Sequence, residues 1–211
     1  MEQEKELFLR ACPVSHETLE RLSIYEKMLV SWNEKFNLIS ASTLPHIWTR
    51  HFLDSAQLMK FVPKDSKSLA DMGAGAGFPG LVLAIMAIDT GLPIIVNEIE
   101  ATGKKADFLQ AVIDELNLPA RVRRERVEAI KDLKVDIVTA RAMKALPDLL
   151  KYANYLIHKD SICLFPKGRA LAEELTEAKK YWTFTSEIHQ SLSDDSGSVL
   201  ILKDLRYKSR R

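Results

Sequence analysis

Two spacings of hydrophobic residues divide the chain. Over residues 1–62 the apolar positions recur by threes and fours. Leu22, Tyr25, Leu29, Trp32 and Phe36 form one such stripe, the face of a buried helix. Ser15, just after Pro13, stands where an N-cap belongs. Thr43 and Pro45 suggest the start of a further helix that carries Ile47, Trp48, Phe52, Leu58 and Met59. Pro63 opens a polar linker to Ser68. Beyond it the pattern changes to short apolar runs alternating with amphipathic stretches. Strands are predicted at 69–72, 94–99, 121–124, 135–139, 161–165, 184–192 and 199–203. Helices are predicted at 81–88, 105–116, 146–156 and 171–181. This alternation predicts an α/β domain over 63–211, a doubly wound, mostly parallel seven-stranded sheet behind an N-terminal helical extension over 1–62. The last two strands flank the turn Asp194-Asp195-Ser196-Gly197, so one antiparallel strand is expected at the sheet edge.

Composition narrows the class only a little. The 211 residues are 46% hydrophobic and 28% charged, which is ordinary for a globular protein. No apolar run approaches the roughly 20 residues of a membrane span, and the charged N-terminus has no leader pattern. Cys12 and Cys163 are the only cysteines and share no metal spacing, which points to a reducing, cytoplasmic setting and no bound metal. The net charge of +1 announces no polyanion partner, so any basic surface must be local.

The chemistry concentrates in Asp71-Met72-Gly73-Ala74-Gly75-Ala76-Gly77-Phe78-Pro79-Gly80, between a strand and a helix. Glycines there let the backbone turn sharply and let a ligand approach closely, at the crevice where doubly wound sheets bind adenine nucleotides. Two readings compete. Gly75, Gly77 and Gly80 fit the dinucleotide pattern, with Glu100 placed as a ribose-binding acid, which suits a nicotinamide-dependent oxidoreductase. Asp71, Gly73, Gly75 and Gly77 equally fit the acid-x-G-x-G-x-G pattern of S-adenosylmethionine-dependent methyltransferases. The second is favoured. Asp71 would repel a pyrophosphate and suit a sulfonium or ammonium group. Pro79 lacks an N–H that a phosphate would use. A helical segment precedes the sheet, and the sheet closes antiparallel. Glu100 is preferred over Glu98 as the ribose acceptor because Thr102-Gly103-Lys104-Lys105 then opens the next helix.

Further motifs resemble one family. Trp32-Asn33-Glu34-Lys35-Phe36-Asn37-Leu38, Arg50-His51-Phe52-Leu53-Asp54-Ser55, the Asp71–Gly80 run, Glu100-Ala101-Thr102-Gly103-Lys104-Lys105, Arg126-Val127-Glu128, Thr139-Ala140-Arg141-Ala142 and Lys167-Gly168 are similar, in order, to elements of the RsmG family, also called glucose-inhibited division protein B. Ala101 stands where that family has serine. The resemblance implies a Rossmann-like class I methyltransferase that moves a methyl group from S-adenosylmethionine to N7 of a guanine in 16S ribosomal RNA of the small subunit. It also implies cofactor contacts at Gly73, Phe78, Val127 with Glu128, and Arg141, alongside Gly75 and Glu100 of the loop reading. Guanine N7 carries a free lone pair, so no general base is needed. Substrate positioning is expected from Arg141 and Lys167, with Arg50 or His51 over the substrate mouth. Lys104, Lys105, Arg123 and Arg124 are the candidate RNA-binding cations, with Arg121, Arg126, Arg206, Lys208, Arg210 and Arg211 nearby in sequence. The bland alternative for each is a solvated surface charge. Arg50 and Asp54, four apart, could instead be an ion pair bracing a helix. Asn33 and Asn37 read as helix-end ties, Trp32 and Trp48 as core, and His46, His158 and His189 as having no visible partner. A monomer is the default expectation. A non-catalytic RNA-binding module on the same fold is the remaining alternative.

Overall fold

The structure is a computed structural model and describes residues 2–208; Arg210 and Arg211 lie outside them. Helix α1 spans Glu2–Ala11 and α2 spans His16–Phe36. Ser15 caps α2 as expected, its Oγ accepting from the Thr18 N–H at 3.1 Å. Asn37 ends the helix in a left-handed conformation, and Asn33 Oδ1 accepts from the Ile39 N–H at 2.9 Å, so the pair ties the helix end to the next loop. Trp48 is fully buried, and Trp32 packs on Phe36 and Phe108 at 5.5 Å each.

The single helix expected after Thr43 is instead four short turns. A 3-10 turn at Leu44–His46 leads into a π turn at Trp48–Leu53, a single α turn α3 at Asp54–Ala56 and a 3-10 turn at Gln57–Phe61. Thr43 caps nothing; its hydroxyl bonds back to the Ser40 carbonyl. Ile47, Trp48, His51, Phe52 and Leu53 are all buried along these turns.

The sheet follows the predicted alternation closely. Strand β1 (Ser68–Met72) leads to α4 (Gly80–Thr90), β2 (Ile95–Ile99) to α5 (Gly103–Leu116), and β3 (Ala120–Arg123) to a short 3-10 turn at Val127–Ala129. Then come β4 (Val135–Thr139), α6 (Leu146–Leu156), β5 (Ile157–Lys167), α7 (Leu171–Tyr181), β6 (Trp182–Gln190) and β7 (Ser198–Tyr207). The seven-stranded order is β3-β2-β1-β4-β5-β7-β6. The antiparallel strand is β7, at this end of the sheet and between β5 and β6.

Alternation along each strand sorts the core into two layers. Leu69, Val96, Ile137, Leu164 and Ile201 face α4, α5 and the extension; Ala70, Met72, Val138, Phe165 and Leu200 face α6 and α7. Phe8, Tyr25 and Trp48 of the extension share the first layer with Leu81 and Val112. Burying such a side chain is worth about 1.5–3 kcal/mol relative to leaving it exposed. The extension is therefore fixed to the sheet through a common core, which brings its π turn over the carboxyl ends of the strands.

Candidate active site

The glycine turn forms where β1 ends. Gly73, Gly75 and Gly77 have φ of +65°, +60° and +87°. At Gly77 a side chain would be both strained and obstructed, because a Cβ there would lie 2.5 Å from Tyr25 Oη and 2.6 Å from Leu81 Cδ1. The Tyr25 hydroxyl donates to the Ala76 carbonyl, so α2 of the extension clamps the turn from behind.

Three carboxylates organise the turn. Asp71 is fully buried; its Oδ2 accepts from the Gly80 N–H at 2.9 Å and its Oδ1 from Thr139 Oγ1 at 3.1 Å. This corrects the sequence expectation. Asp71 does not present its charge to a ligand but braces the start of α4. Burial lifts its carboxyl to about 6, against the pull of the Gly80 and Thr139 hydrogen bonds. Glu98, its neighbour in register on β2, faces the same way, and both its oxygens lack a hydrogen-bond partner among the described residues. A Cβ on Gly80 would sit 2.1 Å from Glu98 Oε1, so the bare glycine is what lets the Glu98 carboxyl pack against the start of α4. Burial, and then the charge of Asp71, hold Glu98 well above the usual carboxylate range. A neutral acid packed under the loop is unsuited to a ribose contact. Glu100 is placed differently. One oxygen accepts from the Gly75 N–H at 2.9 Å and the other from the Thr102 N–H at 2.7 Å. Each oxygen keeps acceptor capacity.

Beside the turn lies a recess of about 880 Å³, lined by Gly73, Gly75, Phe78, Arg50, His51, Lys105, Arg141 and Lys167. Arg141 is its central cation. The guanidinium lies over Phe78, Cζ 4.9 Å from the ring centre, and donates to the Arg50 carbonyl at 2.9 Å and to His51 Nδ1 at 2.6 Å. Asp54 is 3.6 Å away. His51 stacks on Phe78 at 4.8 Å. Burial, then Arg141 and Arg50, push its imidazole down to about 3, so the ring is neutral. Arg50 does not pair with Asp54. It reaches Asp194 in the β6–β7 turn at 2.8 Å, while Asp54 accepts from Ser193 Oγ at 2.7 Å. The i,i+4 brace does not form: Arg50 lies on the π turn and Asp54 opens α3, and each has a partner in the β6–β7 turn. Lys167 is mostly buried and pairs with Glu174 at 2.5 Å.

Other expected residues, Glu100 among them, do not line this recess. Val127 is buried and Glu128 exposed in the turn after β3. Lys104 lies over the Phe36 ring at 5.3 Å. Arg123 is held by Glu125 at 2.9 Å and Asp132 at 2.5 Å, and Arg124 by Asp107 at 2.7 Å. The histidines expected to lack partners have them: His46 meets Glu4 at 2.8 Å, His158 meets Asp136 at 3.0 Å, and His189 packs on Phe61 at 4.5 Å. The recess also draws in residues that the sequence reading passed over, namely Met143, Lys144, Arg169 and Asp194. Lys144 and Arg169 follow motif residues Arg141 and Lys167 within three positions, which was the available signal. Among the described residues no cluster of metal-ligating side chains occurs, and no helix is long and apolar enough to cross a membrane.

The sheet order, the glycine turn at the strand ends and the crevice beside it are those of a Rossmann-like methyltransferase fold. The chain superposes with a TM-score of 0.53 on a TehB-like SAM-dependent methyltransferase from Corynebacterium glutamicum, 11% identical, over 74% of this chain and 88% of that one. Residues 18–199 match the family described as GidB, rRNA small subunit methyltransferase G. The chain is 44% identical to the Ribosomal RNA small subunit methyltransferase G of Rhodospirillum centenum over 94% of its length and 89% of that relative. It is 45% identical to that of Hyphomonas neptunium, over 94% and 93%. The chain belongs to the rRNA small subunit methyltransferase G family.

Proposed function

We propose that this enzyme methylates N7 of one guanine in 16S ribosomal RNA, using S-adenosylmethionine bound along the glycine turn. The observation that carries this reading is the convergence of the bare backbone of Gly73 and Gly75, the Phe78 face and the Arg141 fork on one recess. The residues present fit the cofactor. Glu100 offers acceptor positions for a ribose diol while it holds Gly75. Val127 and Glu128, in the turn after the neighbouring strand, would edge the adenine. Asp71, spent on Gly80 and Thr139, keeps the turn shaped.

The sulfonium, when bound, supplies an electrophilic methyl group. The chain's task is orientation. Guanine N7 is unprotonated at neutral pH and needs no base, and holding reactants in line is worth roughly 7–11 kcal/mol. Arg141 addresses the entering purine or its phosphate. Lys105, Lys144 and Arg169 surround the mouth with positive charge that suits an RNA backbone, and Lys167, paired with Glu174, stands in its wall. Arg123, Arg124 and Lys104 stand as an outer RNA contact in which carboxylates or an aromatic ring already compete. The protein acts as a monomer, without a metal, in the cytoplasm where the small subunit is found. Mass spectrometry of 16S RNA from cells with and without the gene tests the reading. Loss of one 7-methylguanine supports it; an unchanged modification pattern overturns it.

A further inference from the structure

The π turn of the extension has a consequence for the chemistry that its packing does not require. Three acceptors from five consecutive residues converge on one guanidinium. The Arg50 carbonyl takes Arg141 Nη1 at 2.9 Å, His51 Nδ1 meets Nη2 at 2.6 Å, and Asp54 Oδ2 lies 3.6 Å from Nη1. A wide turn lets a main-chain carbonyl serve a partner outside the helix, and such turns are frequent at functional sites. The protonation at His51 follows from the chemistry of its partner. Arginine can only donate, so Nδ1 carries the lone pair and Nε2 the proton. That Nε2–H is shut off from solvent and has no hydrogen-bond partner among the described residues. Leaving a donor unmet in the interior is unfavourable, and native structures rarely do so. Here it keeps Nδ1 available as an acceptor. The same fact shows that His51 does not reach into the recess with a donor of its own.

We propose that the Arg50–Asp54 turn is the positioning element for Arg141. It clamps two of the guanidinium nitrogens, holds the group over the Phe78 ring and leaves the Nε–H and the outer hydrogens of the fork for the purine edge or its phosphate. The extension is thus part of the reaction's geometry, and His51 and Asp54 are positioning residues, not substrate contacts. Asp54 is fixed in turn by Ser193 Oγ at 2.7 Å and Gln57 Nε2 at 3.1 Å, and Arg50 by Asp194 at 2.8 Å, which fastens the element to the β6–β7 turn. The proposal rests on the methyl-transfer reading above.

The test compares His51→Ala with His51→Asn in methylation of small ribosomal subunits at saturating S-adenosylmethionine, with cofactor affinity by calorimetry and a crystal structure of each variant. Both lose the ring that stacks on Phe78, but asparagine Oδ1 sits near the Nδ1 position and restores the acceptor. His51→Ala is expected to lower kcat by about tenfold to a hundredfold, the scale of a 1 Å misplacement. Its cofactor affinity stays within about twofold, since only orientation is lost. His51→Asn recovers most of that rate, and only in His51→Ala does the guanidinium leave the Phe78 face. Wild-type kcat in His51→Ala, or a loss as large in His51→Asn, overturns the proposal. Should His51→Ala fail to fold, Asp54→Asn serves as the second variant; it can still accept from Ser193 but loses the charge near Arg141, and an unchanged kcat there also overturns the proposal. If the wild-type enzyme does not methylate small subunits, the functional reading fails instead. The crystal structure then decides the positioning alone, and a guanidinium still over the Phe78 ring in His51→Ala refutes it.

Discussion

Arg141 of the crevice and the arginines at the end of strand β3 look alike in sequence and differ in what holds them. Arg123 and Arg124 are met by Glu125, Asp132 and Asp107, partners that neutralise them near the surface. Arg141 is met by a carbonyl, a neutral imidazole, an aromatic face and a more distant carboxylate. Burial lowers its pKa, and Asp54 and Asp71 act against this, so the charge is retained while several of its donors are aimed. Fixing a cation's direction without cancelling its charge is what a positioning role needs. Exposed ion pairs contribute only about 0–1 kcal/mol and leave the side chain free to exchange partners.

Substitutions should separate the two groups sharply. Arg141→Ala is expected to cut kcat on small subunits by about a hundredfold or more. A Tm close to wild type would show that the loss is not unfolding, and near-normal turnover would break the contrast. Lys167→Met should cost about tenfold, the worth of one charge-assisted hydrogen bond, read as kcat/KM against salt. Its methyl transfer should also lose part of its salt dependence. Changing Arg123 and Arg124 together to alanine should alter kcat/KM by less than about twofold, in line with the small worth of surface pairs. A large fall there would move the RNA-binding face to β3.

A second contrast, between the two buried acids and Glu100, is open to pH. Asp71 is lifted from 3.8 to about 6, and Glu98 rises well above its ordinary 4.5. Both folded-state values exceed the unfolded ones, so the folded protein binds more protons. Stability is then fullest below the unfolded values and falls as pH rises through the folded ones. Glu98→Gln removes one of these titrations. Its Tm should exceed that of the wild type at pH 8, and the gain should shrink as pH falls toward 4.5. A gain independent of pH would mean that Glu98 does not titrate where burial places it.

How legible the molecule was depended on the range of the interactions. The strands and α4 to α7 were readable because periodicity and glycine punctuation are local. Ser15 and Asn33 were readable for the same reason. After Thr43 the apolar pattern reads as one helix, and its break into π and 3-10 turns leaves no mark in the local spacing, since α5 buries Phe108 and Ile113 at an equal five-residue separation. Arg141 was placed at the crevice by its position after β4. Its partners, some 90 residues earlier in the chain, could not be inferred. The role of Asp71 was reversed because the sequence shows a carboxylate at a strand end but not that it is wholly buried, holding the Gly80 N–H and the Thr139 hydroxyl. The choice between Glu98 and Glu100 turned on where the strand ends, which puts Glu98 beneath Gly80 and leaves Glu100 beyond the strand's last residue.

The most direct measurement is calorimetric titration of the wild-type protein with S-adenosylmethionine and, separately, with NAD. The account predicts one-to-one binding of the sulfonium nucleoside, strongly weakened by Glu100→Ala, and no heat from NAD. Binding of NAD without S-adenosylmethionine would contradict it.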